Sequence, residues 1–386
     1  MNFDGPDSDG VRRHVVESAL AWIEEYHVDG LRLDALHAVL DLSAIHILEE
    51  LSATVAARAA ALGRTVVLVG ESDLNDPRLC RPRERGGYGL DAQWNDDFHH
   101  ALHALCTGES AWIYGDFGRP ADLAKAFREG YVYDGRYSRF RRRRHGRPAT
   151  GLEGRRFVVF SQNHDQVGNR PGGERLVSLV GLEGAKLAAA AVLFAPFVPL
   201  LFMGEEYGER APFLYFVDHS DPELREAVRR GRARELAAAG WPGTPADPAA
   251  EETFVRSRLR RERASSPEGG AVRAFYAECL RLRRTRPALR VLDREATDVY
   301  ADASGRTLTV VRRGAEPWAA GVFHFGSAPR DADVPLPTGL WRTLLDTADA
   351  RWAGPGARAP ETVRSDGRVR LPLGGRAAVW VERAGD

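Results

Sequence analysis

Three carboxylates stand where an apolar, strand-like run gives way to a loop. Asp34 ends Gly30-Leu31-Arg32-Leu33-Asp34, Glu71 follows Val66-Val67-Leu68-Val69-Gly70, and Asp165 closes Phe160-Ser161-Gln162-Asn163-His164-Asp165. Paired carboxyl groups suit glycoside hydrolysis, in which one group protonates the leaving oxygen and the other attacks the sugar or activates water. Asp34 and Glu71 belong to consecutive strand patterns, and neighbouring strands run about 4.8 Å apart. That suits the roughly 5 to 5.5 Å between the carboxyls of a retaining pair. On this reading Asp34 is the nucleophile and Glu71 the general acid. Arg32 lies two residues before Asp34, on the same strand face, where its guanidinium would pair with it. Asp165, from a later strand, would accept hydrogen bonds from sugar hydroxyls, with Asn163 and His164 as polar neighbours. Any one of these carboxylates alone reads equally well as a helix cap or a loop charge; their shared placement favours chemistry.

Strands and helices must carry these groups. The apolar spacing predicts a helix over Val11–Tyr26, a strand around Leu31 and Leu33, and a second helix capped by Ser43 with the stripe Ile45, Leu48, Ser52, Val55 and Ala59. Gly63 closes that helix before the next strand. Further strands are expected at Leu90–Trp94, Phe157–Ser161 and Val198–Met203, with helices at Phe98–Cys106, Ala121–Arg128 and Glu174–Phe194. Alternating strand and helix argues for a parallel sheet or barrel, whose reacting groups gather at the C-terminal strand ends. Helices at Leu224–Ala239 and Ala271–Arg284 would close it. After Pro287 short β-rich runs, Leu308–Val311, Ala320–Phe325 and Ala377–Val381, alternate with Gly, Pro and Asp turns. The expected division is therefore 1–287, catalytic, and 288–386, a small antiparallel β-domain.

Composition narrows the partners. Basic and acidic residues balance at 54 each, so no overall field draws the protein to nucleic acid or an anionic membrane, and a neutral substrate fits. The run Arg139–Arg147 is expected to be a solvated loop or a surface folded against the protein, rather than a nucleic-acid site. Leu187–Gly204 is apolar enough to need a membrane test, but Pro196 and Pro199 interrupt it and it reads as core. Three cysteines without ligand spacing suggest free thiols in a reducing compartment, hence the cytoplasm, and Met1–Gly10 has no signal-peptide character. His99, His100 and His103 with Asp96 and Asp97 close no convincing ligand set, so no metal is expected.

At the three carboxylates the sequence resembles the α-amylase superfamily of glycoside hydrolases. Asp29-Gly30-Leu31-Arg32-Leu33-Asp34-Ala35 is similar to its nucleophile motif, Gly70-Glu71-Ser72 to its acid motif, and Asn163-His164-Asp165-Gln166 to its third-carboxylate motif. Longer segments resemble the maltooligosyltrehalose trehalohydrolases within it: Glu71-Ser72-Asp73-Leu74-Asn75-Asp76-Pro77-Arg78, the stretch from Asp91 to His100, that from Gln162 to Arg170, and that from Leu201 to Glu209. This similarity runs from Asn2 to about Gly240 and less sharply beyond.

The resemblance implies an α/β fold, an incomplete (β/α)8 TIM barrel of about five units followed by a small antiparallel β-domain. It implies retaining hydrolysis of the α-1,4 bond next to the trehalose unit, without a cofactor, on maltooligosyltrehalose or a related α-glucan. The catalytic residues would be Asp34, Glu71 and Asp165, and the substrate-binding residues Arg32, His37, Asp73, Trp94, Asp96, Asn163 and His164, with Trp94 as the preferred sugar-stacking platform. The superfamily's first motif, an Asp followed a few residues later by Asn-His, has no match here. With five strand patterns where a closed barrel needs eight, the expectation is that an N-terminal portion is missing and that the lone chain is poorly stable and inactive. A branching enzyme, a maltooligosaccharide hydrolase or a non-catalytic carbohydrate-binding fragment remain alternatives on these residues.

Overall fold

The computed structural model describes residues 1–241, 245–302 and 306–384; residues 303–305 and 385–386 of the expected β-domain lie outside the described residues. Contacts divide the chain into two compact units, 1–97 with 129–159, and 98–128 with 160–386.

The first unit opens with helix α1 (Asp9–Glu24), which buries Val16, Ala19 and Ile23 along one stripe and packs on α2 (Ile47–Ala61). Between them runs strand β1 (Gly30–Leu33), and after α2 come β2 (Val67–Gly70) and β3 (Ala92–Trp94). A hairpin, β4 (Asp134–Ser138) and β5 (Arg143–Gly146), precedes β6 (Phe157–Val159). Strands β1, β2, β3 and β6 form a parallel ladder in that order, with Gly30 opposite Val67, Val69 opposite Ala92 and Gln93 opposite Phe157. Ser43 does not cap α2. His46 does, its Nδ1 accepting from the Leu48 N–H. Ser43 lies in a loop organised by buried Asp41, which accepts from the N–H groups of Ser43 (2.8 Å) and Ile47 (2.6 Å) and from Arg12 Nη1 (2.7 Å). Burial alone would raise the Asp41 carboxyl, but Ser43, Arg12 and Ile47 together hold it well below the usual carboxylate range.

The second unit contains α3 (Asp96–Thr107, from Phe98 onward), α4 (Pro120–Glu129, up to Arg128), the short α5 (His164–Gly168), α6 (Leu176–Phe194) and β7 (Val198–Pro199). The expected strand Val198–Met203 is cut to two residues: Pro199 carries no N–H for a ladder. Helices α7 (Pro222–Ala238), α8 (Glu251–Arg256), α9 (Pro267–Thr285) and α10 (Pro287–Arg290) follow. The remaining strands are β8 (Thr297–Ala301), β9 (Thr307–Arg312), β10 (Ala319–His324), β11 (Arg330–Asp346), β12 (Thr362–Leu373) and β13 (Ala377–Arg383). They make one antiparallel sheet in the order β12-β11-β13-β10-β9-β8, with a core of Val322, Val334, Trp341, Leu371 and Val379.

Helix α6 is long and apolar enough to cross a membrane by length and composition, yet 67% of its most apolar window is buried within the protein. It breaks at Gly181, whose φ of 74° suits glycine, and packs on β10 and β13. Its end is held by two buried guanidinium groups. Arg283 Nη1 donates to the carbonyls of Leu193 and Ala195, both at 2.8 Å, and Nη2 to that of Phe197. Arg312 donates to the carbonyls of Phe194 (2.8 Å), Ala195 (3.3 Å) and Val291. These groups take up carbonyls that a helix C-terminus leaves without partners. Burial brings Arg283 down to about 10, and burial followed by the Arg283 charge brings Arg312 down to about 9. Replacing Arg312 by Met strands the Phe194 and Val291 carbonyls, so Arg312→Met is expected to cost about 2–4 kcal/mol. The exposed control Arg225→Met should stay within about 0.5 kcal/mol of the parent. Urea unfolding checks both, and an unchanged midpoint for Arg312→Met would contradict the role.

Candidate active site

The register of the first two parallel strands places Leu33 opposite Gly70, so Asp34 and Glu71 leave neighbouring strands at the same height. Arg32 joins them: its Nη1 pairs with Asp34 Oδ1, and its Nη2 lies 3.2 Å from Glu71 Oε2. The same guanidinium sits 4.3 Å over the Trp94 ring, at the end of β3. Trp94 is buried, and a ring face covered by a guanidinium is not open to a sugar. The expected stacking platform is instead the floor that holds Arg32, a cation–π contact strengthened by desolvation. Shelter separates the two acids: the Asp34 side chain is 77% exposed, that of Glu71 17%.

His37 and Asp73 meet at the same end of the sheet, His37 Nδ1 lying 3.8 Å from Asp73 Oδ1. Asp73 is fixed from the β4–β5 hairpin. Arg141, nearly buried, donates to its Oδ2 (2.9 Å), and His145 Nε2 lies 2.6 Å from its carbonyl. That carbonyl only accepts, so His145 carries its hydrogen on Nε2; burial lowers its pKa and favours the neutral ring. The basic run is thus a hairpin with one arginine turned inward, and Arg141 joins the site without having been anticipated.

Beneath this rim lies Asp97, fully buried. Its Oδ2 accepts three hydrogen bonds of 2.7 Å, from Asn75 Nδ2 and the N–H groups of Val132 and Tyr133. Asn75 also donates to the Tyr133 carbonyl at 3.2 Å and accepts from the Arg147 N–H at 3.1 Å. Asp97 therefore ties the loop after Glu71 to the hairpin. Burial pushes it up to about 6 against these donors and the Arg136 charge. Asp96 precedes it at the start of α3, half-buried.

Asp165 belongs to the second unit. Asn163 caps α5: its side-chain oxygen accepts from the Asp165 N–H (2.8 Å) and the Gln166 N–H (3.3 Å), while Gln166 Oε1 accepts from the Asn163 N–H. Asn163 is buried, and its side-chain oxygen, committed to the cap, positions Asp165, while its Nδ2 is without a partner among the described residues. His164 and Asp165 are half exposed, 3.4 Å apart at Nε2 and Oδ1. The residues before them are anchored to buried Glu205, whose Oε2 accepts from Gln162 Nε2 (3.1 Å) and Ser161 Oγ (3.4 Å). Burial pushes Glu205 up to about 7, Gln162 opposing it. Gln162 Oε1 accepts from the Leu176 N–H, which fixes the orientation of its amide. His99 Nδ1, 2.9 Å from the Ser161 carbonyl, completes the support. Burial, then the neighbouring His103 and His100, hold His99 well below the usual histidine value, so it acts as a neutral hydrogen-bonding ring.

A malto-oligosyltrehalose trehalohydrolase from Arthrobacter ramosus is 47% identical over 342 residues, 88% of this chain and 56% of the relative. One from Rhizobium sp. (strain M-11) is 43% identical over 376 residues, 96% of this chain and 60% of the relative. The chain belongs to the malto-oligosyltrehalose trehalohydrolase family. It spans little more than half the length of these relatives. The crystal structure of a Salmonella typhimurium protein provisionally described as an α-amylase superposes with a TM-score of 0.81 at 36% identity, covering 98% of this chain and 61% of that one. The fold is thus that of the α-amylases, with five strands in its first sheet among the described residues where a closed parallel barrel has eight, and an antiparallel β-domain. No family model matches the chain. The trehalohydrolase-family motif from Glu71 to Arg78 is the loop that Asp97 fastens, and the motif from Leu201 to Glu209 supplies Glu205.

Asp97 carries a pH dependence with a definite sign. Its folded value of about 6 exceeds the ordinary 3.8, so between those values the folded state holds more protons than the unfolded chain. Stability from this group must therefore fall as pH rises through that window and stay lower above it. Plotting thermal midpoints from pH 3.5 to 7 for parent and Asp97→Asn should show that component of the slope lost in the variant. Parallel curves would contradict it.

Proposed function

We propose that the protein is a retaining glycoside hydrolase that cleaves the α-1,4-glucosidic bond next to the trehalose unit of maltooligosyltrehalose and releases trehalose. The observation that carries this reading is the pairing of Asp34 and Glu71 on a single guanidinium at adjacent strand ends. The name borne by relatives at 43–47% identity supports the trehalose end of the substrate.

In this reading Glu71 protonates the oxygen linking the glucan to trehalose as Asp34 attacks the anomeric carbon. Trehalose leaves with a restored hydroxyl, and the glucan stays on Asp34 as an ester. Glu71, now a carboxylate, takes a proton from water, whose oxygen displaces Asp34 and gives the α-anomer of the shortened glucan. Both steps are balanced by these two side chains, and the chemistry calls for no cofactor. Asp165 bonds sugar hydroxyls more tightly as the ring flattens; His37, Asp73, Asp96 and His164 supply further polar contacts. The reading includes a cytoplasmic setting, which the three free, buried cysteines support.

A full-length protein containing this segment, incubated with maltooligosyltrehalose and with plain maltooligosaccharide of equal length, is expected to show preference for the former and stoichiometric trehalose. Asp34→Asn and Glu71→Gln should each lower kcat about a thousandfold or more, with melting temperatures near the parent value. Preference for the plain oligosaccharide, or activity within tenfold in either variant, would defeat the proposal.

A further inference from the structure

The end of the β1–β2 ladder departs from regular pairing by one residue. In a parallel ladder alternate residues of a strand donate to the carbonyl one position before their partner and accept from the N–H one position after it. Val67 obeys this, donating to the Asp29 carbonyl across the Gly30–Val67 pair. Glu71, in register with Asp34, donates correctly to the Leu33 carbonyl at 2.9 Å. Its own carbonyl should then accept from Ala35. It accepts instead from Leu36, at 2.8 Å. One extra residue has been inserted, a bulge of the kind that re-aims side chains beside active sites.

The inserted residue is Ala35, whose φ of 48° and ψ of 47° lie in the left-handed region. That conformation is unfavourable for alanine, so the neighbouring bonds must impose it. The displaced N–H is not wasted: it donates to Glu71 Oε2 at 2.5 Å. Arg32 Nη2 approaches the same oxygen at 3.2 Å. Both donors thus converge on Oε2.

We propose that the bulge at Ala35 is a positioning device for the general acid. The freed backbone N–H engages Glu71 Oε2 and leaves Oε1 as the oxygen that carries the transferable proton. This rests on the assignment of Glu71 as the acid. It adds a backbone donor rigid enough to choose between two equivalent oxygens, since a backbone amide cannot rotate away as a serine or lysine would. The bulge serves the nucleophile too, because a regular ladder would continue through Asp34 and Ala35 with alternating faces. One inserted residue lets the chain turn at Asp34.

Two measurements on the whole protein test this and separate it from the assigned reaction. In the first, the Ala35 amide is followed by NMR on alanine-labelled protein. Its proton should lie downfield, its shift should follow the ionisation of Glu71, and its exchange should quicken about tenfold or more in Glu71→Leu. This arm needs no substrate, and an Ala35 amide indifferent to Glu71→Leu would overturn the proposal. In the second, alanine at position 35 is replaced by its hydroxy-acid analogue, which exchanges the N–H for an ester oxygen at almost unchanged shape. The proposal expects kcat on the natural glycoside to fall about tenfold or more with KM within about twofold, and a clearly smaller loss on an α-glycosyl fluoride, whose leaving group needs no proton. A structural role alone would depress both substrates alike, and that result would also overturn it. A parent protein that cleaves neither substrate would sink the assigned reaction while the amide measurement still decides on the bulge.

Discussion

Two carboxylates at neighbouring strand ends repel each other. Arg32 answers it. One guanidinium reaches both Asp34 and Glu71, and Trp94 beneath it keeps the cation from swinging out to water. The Arg32 side chain must start two residues before Asp34 to share its face, and the third strand must end in an aromatic residue to meet it. The in-register parallel ladder is what brings these three strand ends level.

The rest of each unit protects such arrangements by a common device. Several buried charges are satisfied by backbone groups. Asp97 gathers two N–H groups and an amide in the first unit. Arg283 and Arg312 gather carbonyls in the second, and Lys186 donates to those of Thr347 (2.8 Å) and Trp352 (3.0 Å) beside its pair with Glu183. A charge bonded to backbone fixes the path of the chain. That suits a fold whose parallel strands are only three or four residues long and whose chemistry sits on the loops between them.

Much of this was legible in the sequence. The apolar stripes of α1, α3, α6 and α9 have helical period, and each was read to within a few residues. Asp34 and Glu71 were legible because each follows a strand-like run such as Val66–Val69; either alone reads equally well as a cap or a loop charge, and it is their shared placement that points to chemistry. What escaped depends on distant partners. The β4–β5 hairpin is written in arginines, which show no alternation of apolar and polar residues, and the inward turn of Arg141 is set by Asp73, many residues earlier. Ser43 has the chemistry of a cap, but Asp41 takes the loop and His46 takes the helix. The surroundings of Trp94 and Asn163 also escaped: a guanidinium lies over the Trp94 ring, and a capping box takes the side-chain oxygen of Asn163. The long β11 and β12 strands were hidden by Pro335, Pro337 and Gly339, where a register shift between Leu336 and Gly339 absorbs the interruption.

The account turns on Asp34 being the group that bonds to sugar while Glu71 moves the proton. A fluorinated glycosyl fluoride that forms the glycosyl ester quickly and loses it slowly would trap that intermediate, and peptide mapping by mass spectrometry would locate it. The adduct is expected on Asp34 alone, within the peptide that contains Arg32 and Ala35. An adduct on any other carboxylate, or a first-formed product of inverted configuration, would contradict the assignment of both residues.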